Sequence, residues 1–422
     1  MDRKLVTTIC VVTSLVVVLV ACGPAPTNTP INTNTAVSTT NTSTSTEASR
    51  RTPPADLETI AQRLVNQSAG VKENDIVLIS GGARDMELLE DIAVQVRKLG
   101  AHPLVTLSSD QMAKRLYTDV PEKYDSQAPA LDLKLADTVN VVISVDSNEA
   151  EGLFADADPK RLAARGKASE PVGARLMRNN VRLVNVGNNL YPTEWRARRY
   201  GMSLEELSNT FWGGVNVDYS SLQEKGKQVR AVIAAGNEVH VTNPSGTDLK
   251  LRIQGRPVVV SDGIISPEDM QKGGPHVSIY LPAGEVACSA VPGTASGKVV
   301  VPIDYYQDKE IQNLTLTFEG GKLISMTGSG PGFEPYKAAY EATGAGKELF
   351  GYIDFGINPH IRLAPGSRLG NWVPAGMVTV GTGNDVWAGG DNNVAGGVNA
   401  FLPGCTVTLD GRTVVENGQL KI

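Results

Sequence analysis

Histidine, cysteine and aromatic residues are all scarce in this chain of 422 residues. It contains four His (His102, His240, His276 and His360), four Cys and only 5% aromatic residues. Four cysteines are too few for a disulfide scaffold or for several structural zinc sites, and four histidines limit any metal site built on imidazole. Basic residues are not in excess either, because the net charge is −6. A nucleic-acid-binding protein, which needs a basic surface, is therefore not expected.

The first 22 residues have the layout of an export signal. Arg3 and Lys4 precede the apolar run Leu5–Val20, which is shorter than the roughly 20 residues that cross a bilayer comfortably. The run ends at Leu19-Val20-Ala21-Cys22, which resembles the bacterial lipobox, where the signal is cleaved before the Cys and its thiol receives a lipid. The alternative is an uncleaved anchor helix. We expect an extracytoplasmic protein that is lipid-anchored to the bacterial cell membrane through Cys22.

Residues 23–54 form a segment of very low complexity. They consist largely of Thr, Asn, Ser and Pro, with Ile31 and Val37 as the only large apolar residues. Such a composition cannot bury enough apolar surface to fold. A flexible coil of this length spans roughly 30 Å. The segment therefore predicts a disordered tether between the membrane and a folded body that begins near Ala55.

Only two cysteines, Cys288 and Cys405, remain once the signal is removed and Cys22 is lipidated. They lie far apart in the sequence. They either form one disulfide or stay as two buried thiols, and the sequence leaves both alternatives open.

The first half of the body alternates between helix and strand patterns. Leu57–Val65 and Met86–Lys98 show apolar residues at helical spacing, whereas Asp75–Ser80 and Pro103–Leu107 are short apolar runs typical of strands. A helix between two strands at this spacing predicts a βαβ unit and a parallel sheet. Gly81-Gly82 is interpreted as a tight turn, because the G-x-G-x-x-G fingerprint of dinucleotide-binding proteins is absent.

The residue composition and the hydrophobic pattern change from about Val229 onward. It is rich in Gly and turn residues, and its alternating stretches predict short strands at Asn237–Thr242, Leu249–Ile253, Lys298–Ile303 and Leu314–Phe318. We therefore predict two domains: an α/β domain with a parallel sheet over residues 55–225, and a β-rich (α+β) domain over residues 226–422.

Several segments of the body follow, in order and spacing, the motifs of one enzyme family. They are Tyr191-Pro-Thr-Glu-Trp195, Tyr200-Gly-Met-Ser203, Asn243-Pro-Ser-Gly-Thr-Asp-Leu249, Leu281-Pro-Ala-Gly-Glu-Val286, Pro292-Gly-Thr-Ala-Ser-Gly297, Gly356-Ile-Asn-Pro359 and Thr406–Gly411. Together they resemble the thermophilic-type metallo-aminopeptidases, the aminopeptidase T and aminopeptidase S group. The resemblance covers roughly residues 55–422. It implies an aminopeptidase T-like fold, a homodimer, and removal of N-terminal residues from peptides by two divalent ions (Zn, Co, Mn or Mg).

The resemblance carries over only part of the family's metal ligands. Glu285 in Pro-Ala-Gly-Glu-Val matches the first ligand. The second ligand, a Glu, aligns with Tyr352 when no gap is allowed and with Asp354 when one is. The His of the family's Gly-x-x-His-x-x-x-Gly stretch is replaced by Thr379. The resemblance therefore implies Glu285 and Asp354 as metal ligands in a site that is largely degraded.

The remaining ligand positions are also changed. The family's acidic segment corresponds to Asn371-Trp-Val-Pro374, and its His-x-Asp pair corresponds to Gly396–Ala400, which contains neither residue. No His follows His360, so no shift of the alignment restores these ligands. Other oxygen donors in the sequence are Asp262, Asp385 and Asp391. A site built from oxygen donors alone would favour Ca²⁺, Mg²⁺ or Mn²⁺ over zinc.

Histidines and tryptophans outside these motifs have simpler interpretations. His240 lies in an alternating strand pattern and is interpreted as part of a solvent-facing surface. His276, in a loop ahead of the first ligand segment, and His360, directly after the Gly-x-Asn-Pro element, are alternatives as additional donors. Trp372 and Trp387 are interpreted as packing residues.

Three hypotheses about function follow from this pattern. The chain either still cleaves N-terminal residues with altered metal donors, or it is an inactive pseudo-enzyme that binds peptides or a partner. A third is the ring-opening oxygenation known among distant relatives of the family, which needs an iron site of His and carboxylate ligands. The shortage of histidine counts against the third hypothesis.

Overall fold

The computed structural model describes residues 56–422, except residues 155, 307–308, 364–369 and 395. The predicted signal peptide, the lipidation site Cys22 and the predicted tether over residues 23–54 lie outside the described residues. Within the described part of the chain, none of the helices combines the length and the apolar character needed to span a bilayer.

The helices are mostly short. Most of them begin at a residue whose side chain accepts a hydrogen bond from a backbone N–H of the first turn. Two such residues, Ser203 and Ser266, each form a capping box. The helices are α1 (Leu57–Arg63), α2 (Met86–Lys98), α3 (Asp110–Thr118), α4 (Ala130–Ala136), α5 (Pro159–Arg178), α6 (Glu194–Tyr200), α7 (Leu204–Val215), α8 (Tyr219–Ala235), α9 (Pro267–Lys272) and α10 (Phe333–Glu341).

The strands are β1 (Ile76–Gly82), β2 (His102–Ser108), β3 (Val141–Val145), β4 (Arg182–Val186), β5 (Glu238–Thr242), β6 (Asp248–Arg252), β7 (Val258–Ser261), β8 (Ser278–Leu281), β9 (Glu285–Ser289), β10 (Ser296–Tyr306), β11 (Lys309–Glu319), β12 (Lys322–Ser329), β13 (Phe350–Gly356), β14 (Val378–Thr382), β15 (Asn399–Phe401), β16 (Thr406–Leu409), β17 (Arg412–Glu416) and β18 (Gln419–Leu420).

A five-stranded parallel sheet organises the first half, in the order β2-β1-β3-β4-β8. The predicted βαβ unit is β1, α2 and β2. The fifth strand, β8, comes from the second half and pairs with β4 from Leu183↔Ser278 to Val186↔Leu281. The predicted domain division near residue 225 falls inside α8 and stays a prediction. Because β8 belongs to the later part of the chain, that part completes the first sheet.

Two antiparallel sheets organise the second half. The larger has eight strands in the order β12-β11-β10-β6-β5-β16-β17-β18, and the smaller has five in the order β15-β14-β13-β9-β7. The predicted fold class, an α/β part with a parallel sheet followed by a β-rich part, is therefore confirmed.

Apolar side chains from both halves form one large core. Among its largest fully buried members are Tyr200, Phe211 and Tyr219. Cys288 and Cys405 are both buried and not joined in a disulfide, and burial raises the pKa of each thiol to about 12. Of the two alternatives left by the sequence, two buried thiols is the correct one.

Candidate functional site

The smaller antiparallel sheet has one apolar face and one face that carries polar side chains. Residues directly opposite each other in neighbouring strands point to the same face, as do alternate residues along one strand. On the apolar face, Val286 lies opposite Phe355. In the next row, Asp354 lies opposite Ala287 on one side and Thr379 on the other. Asp354 and Thr379 therefore share the second face.

Glu285 and Tyr352 extend this polar face in the two directions along the strands. Glu285 lies opposite Gly356, two residues from Asp354, and on its other side lies opposite Ser261. Tyr352 is two residues from Asp354 in the other direction. These residues form what we call the carboxyl cluster: Glu285, Asp354, Tyr352 and Thr379.

A close backbone approach fixes the position of Glu285. The preceding Gly284 has φ +131°, and a Cβ atom at Gly284 would lie 2.7 Å from the Asn358 Cβ. The Asn358 side-chain amide donates to the Ala283 carbonyl at 2.7 Å and to the Gly214 carbonyl at 3.2 Å. The Pro-Ala-Gly-Glu and Gly-x-Asn-Pro motifs therefore contact each other, and this contact holds the start of β9 against β13 and α7.

Asp354 and Thr379 are the most deeply buried members of the carboxyl cluster. Both residues are 0% exposed, and among the described residues neither carboxylate oxygen of Asp354 nor the Thr379 hydroxyl has a hydrogen-bond partner. Burial, followed by the negative charge of Glu285, raises the pKa of Asp354 well above its usual range. The backbone N–H of Phe355 has a weaker opposite effect without making a hydrogen bond of normal geometry. Buried polar groups in proteins are rarely left without a partner.

Glu285 lies where the carboxyl cluster meets solvent. The residue is partly exposed, yet the protein around its carboxyl group removes enough water to raise its pKa to about 7. A hydrogen bond with the Ser261 side chain favours the ionised form and partly offsets this effect. Glu285 is therefore partly exposed as a residue, whereas Asp354 is fully buried.

Tyr352 forms an aromatic wall beside the two carboxyl groups. Its hydroxyl donates to Asn399 Oδ1 at 2.6 Å, and its ring crosses Gly381, where a Cβ atom would lie 2.5 Å from the tyrosine hydroxyl. Burial raises the pKa of Tyr352, and the charges of Asp354 and Glu285 raise it further. Both residues that the alignment offered for the second ligand, Tyr352 and Asp354, thus share the polar face with Glu285. Which of them corresponds to that ligand stays a prediction.

Two loops cover the polar face. The Trp372–Pro374 segment packs directly on Gly356, and Trp372 packs against Phe401 with ring centroids 4.9 Å apart. Trp387 packs edge-on against Tyr352 with centroids 4.6 Å apart. Both tryptophans therefore pack as predicted, and their packing partners border the carboxyl cluster.

The other predicted donors lie outside the carboxyl cluster or are already engaged. His240 Nε2 is 2.8 Å from Asp248 Oδ1 on the eight-stranded sheet. The Asp385 carboxylate accepts the Asn392 backbone N–H at 2.7 Å, and Asp262 accepts that of Ile264 at 3.0 Å. The remaining candidates, which are His276, His360 and Asp391, are exposed. Sequence reasoning missed Ser261 because the short strand β7 leaves no sequence signal. It missed Asn399 because this residue is neither the His nor the Asp that the resemblance implies for Gly396–Ala400.

The donor set does not fit a dinuclear metal site. Across residues 56–422, apart from the few that are not described, no three His, Cys, Asp or Glu side chains come together as metal ligands. The undescribed residues 364–369 contain none of these residue types in their sequence. The carboxyl cluster brings together two carboxyl groups, those of Glu285 and Asp354, and the Thr379 hydroxyl lies on the same face opposite Asp354.

The sequence matches one family model, described as thermophilic metalloprotease (M29), over residues 54–331. The match covers about two thirds of the chain. The chain belongs to the M29 metalloprotease family. The predicted family is therefore confirmed, and M29 proteins are metal-dependent aminopeptidases. The M29 match includes Glu285 and ends before Asp354 and Thr379.

Solved structures support the same fold. Wild-type AmpT from Thermus thermophilus aligns with a TM-score of 0.62 at 15% identity, over 87% of this chain and 99% of that one. The 2,5-dihydroxypyridine dioxygenase from Pseudomonas putida KT2440 aligns with a TM-score of 0.54 at 13% identity, over 87% of this chain and 98% of that one. These identities are low, so the two alignments establish a shared fold only. No curated protein sequence matches the chain.

Proposed function

We propose that this chain is a lipid-anchored M29 protein that binds peptides or a partner protein in the family's cleft without hydrolysing them. The observation that carries the proposal is the composition of the carboxyl cluster. Two carboxyl groups stand beside a threonine and a tyrosine, and both oxygens of Asp354 lack a hydrogen-bond partner in the described structure.

Hydrolysis by two metal ions requires ligands that hold both ions and orient an attacking hydroxide. A dinuclear site of the family type needs about five or six donor side chains, and the carboxyl cluster supplies two carboxylates. An oxygen-ligated single ion at Glu285 and Asp354 is the competing hypothesis, and it would allow some hydrolysis to remain. Dioxygenase chemistry belongs to the Pseudomonas putida protein, and the carboxyl cluster contains no His to hold iron.

The location of the protein rests on its first 54 residues. The basic head, the apolar run and the Cys22 context support export and lipidation, and the polar composition of residues 23–54 supports a tether. The folded body would then act at the outer face of the membrane. A homodimer, which the family resemblance suggests, stays a prediction.

The direct test is hydrolysis of aminoacyl-nitroanilides by the full-length protein in detergent, with Zn²⁺, Co²⁺, Mn²⁺ or Mg²⁺ supplied in turn. We expect no turnover above that of a Glu285→Ala variant, together with saturable binding of short peptides in a fluorescence polarisation assay. Turnover that Glu285→Ala abolishes would overturn the proposal in favour of a residual enzyme. Absence of peptide and partner binding would overturn the binding function.

A further inference from the structure

The strand β2 forms an exposed edge of the parallel sheet. It is the last strand in the order β2-β1-β3-β4-β8, and no other strand of the described residues pairs with its outer side. Its side chains Leu104, Val105 and Leu107 are 41%, 39% and 45% exposed, and residues 102–108 contain no Lys, Arg, Asp or Glu. Proteins usually protect an exposed edge strand with charged residues, bulges or a covering segment. An apolar edge without charges is therefore a template for pairing with a further strand.

The free edge of the eight-stranded sheet is protected in ways that β2 is not. Strand β12 begins with Lys322, and its pairing with β11 is irregular at two places. Charged residues and bulges of this kind hinder the addition of another strand. The pairing of β2 with β1 runs without interruption from Ile76↔His102 to Gly82↔Ser108. Of these two edges, β2 is therefore the better template.

The backbone groups on the outer side of β2 follow from its hydrogen bonds with the neighbouring strand. The His102 N–H donates to the Asp75 carbonyl at 2.8 Å, on the side of β1. Because backbone groups alternate in direction along a strand, those of Pro103, Val105 and Leu107 point outward. Proline has no N–H, so the outward donors are the N–H groups of Val105 and Leu107, and all three residues present a carbonyl.

These outward groups can pair with those of a second copy of the chain. When two copies of β2 run antiparallel, a two-fold axis passes through either Val105 or Thr106, and each axis allows about four inter-chain hydrogen bonds. Neither axis places the two Pro103 residues opposite each other. Each copy supplies the same uncharged strand, so no like charges meet across the axis. The strand is therefore complementary to itself.

Exposed apolar side chains on the neighbouring helices enlarge this surface. Val94 on α2, which packs on β2, and Met112 and Leu116 on α3, which directly follows β2, are each about half exposed. Met112 and Leu116 also line an open groove of about 400 Å³ along α3. Two short paired strands are only marginally stable by themselves, so these side chains supply the additional apolar area that a dimer needs.

We propose that two copies of this chain associate through antiparallel pairing of their β2 strands, which joins their parallel sheets into one continuous sheet. The family resemblance suggests a homodimer without specifying a surface, and the β2 edge is that surface. The second half of the chain, with the carboxyl cluster, joins the parallel sheet at its opposite edge through β8. The pairing is therefore separate from the carboxyl cluster and does not depend on the proposed binding function.

Cysteine cross-linking tests the pairing in membranes that contain the full-length protein. Val105→Cys and Thr106→Cys each place a thiol on one of the two possible axes, where facing Cα atoms lie ~4.5–5.5 Å apart, within reach of a disulfide. The native Cys288 and Cys405 are buried. Mild oxidation should give at least one variant a disulfide-linked dimer on non-reducing electrophoresis. The control Ile303→Cys, at an exposed position of the eight-stranded sheet, should give none.

A charge-swap pair tests the same surface without a covalent link. Analytical ultracentrifugation of the full-length protein in detergent should show dimers of the wild type. Val105→Lys and Val105→Glu should each weaken association at least about tenfold, because like charges then meet across the axis. Mixing the two variants should restore dimers, since opposite charges then face each other. Circular dichroism shows whether each variant is folded.

Three results would overturn the inference. The first is a monomeric wild type. The second is a dimer that forms equally well in Val105→Lys, that fails to cross-link at residues 105 and 106, or whose mixed variants do not associate, and this result would leave a homodimer through another surface. The third is cross-linking to a different protein alone, which would assign the β2 edge to that partner. Hydrolysis and peptide binding are measured separately, so none of these results affects the proposed function.

Discussion

Asp354 lies on the polar face of the smaller sheet with no exposed surface and no hydrogen-bond partner for either oxygen in the described structure. An unpartnered buried carboxyl group lowers the free energy of unfolding, because it loses its hydrogen bonds with water and gains none from the protein. Proteins retain such groups mainly where a ligand uses them. At the scale of single residues, the fold therefore carries an energetic cost at Asp354, one of the two residues that the family resemblance offers for the second metal ligand.

Asp354→Asn should stabilise the unliganded protein by about 1 kcal/mol or more at neutral pH, because it removes a buried group whose ionisation is unfavourable. The folded-state pKa of Asp354 is raised, so the wild type loses stability as the pH rises above the ordinary value for aspartate, and the variant does not lose it. The gain should therefore grow from about pH 4 upward. Chemical denaturation at several pH values measures it.

Thr379→Val is the matched control for this prediction, because it replaces another unpartnered buried group without a change in charge. We expect a stability change that does not vary with pH. Destabilisation by Asp354→Asn at all pH values would mean that the carboxylate is satisfied in the native protein, and would contradict the present description of the site.

At the scale of elements, the site depends on the contact between the loop before β9 and the loop after β13. Gly284→Ala should destabilise the protein by about 3 kcal/mol, because φ +131° is accessible almost only to glycine and the new Cβ would meet Asn358. Gly255→Ala is the control: its φ is +73° with nothing within 4 Å of the added Cβ, so a cost of about 1 kcal/mol is expected. Thermal unfolding compares the two variants, and equal shifts would contradict the role given to the Gly284–Asn358 contact.

The sequence predicted elements whose patterns are local and missed those defined by distant pairing. The apolar runs and helical spacing identified β1, α2 and β2 because their periodicities lie within a few residues of one another. The strand β8 has only four residues, and its partner β4 lies far earlier in the chain. No local pattern could therefore assign it to the parallel sheet.

The same limit applies to the site. Glu285 was found through a contiguous motif, whereas Asp354 and Tyr352 remained alternatives because the alignment with the family fits one without a gap and the other with a gap. The pairing of β13 with β9 and β14 shows that both residues belong to one face. Trp372 and Trp387 were predicted to pack, but the loops that carry them have no periodic pattern. The sequence therefore could not show that they pack over the polar face.

At the scale of the whole molecule, the anchor is a separate prediction from the site. Cys22→Ser should abolish acylation, detected by mass spectrometry of the N-terminal peptide, and should shift the protein from the membrane fraction to the soluble fraction. The reason is that no other part of residues 1–54 is expected to hold the processed chain at the membrane. A Cys10→Ser variant, altered inside the predicted signal, should leave both properties unchanged. Persistent acylation in Cys22→Ser would contradict the lipoprotein assignment.

The proposed loss of the family's metal site is tested most directly by the metal content of the full-length protein. After incubation with excess Zn²⁺, Co²⁺, Mn²⁺, Mg²⁺ or Ca²⁺ and removal of free ions, inductively coupled plasma mass spectrometry should find clearly less than one ion per chain. The same residual value should be found for Glu285→Ala, since two carboxylates without His ligands hold such ions weakly. One or two ions per chain in the wild type, lost in Glu285→Ala, would contradict this conclusion and restore the chain to the metal-dependent enzymes of its family.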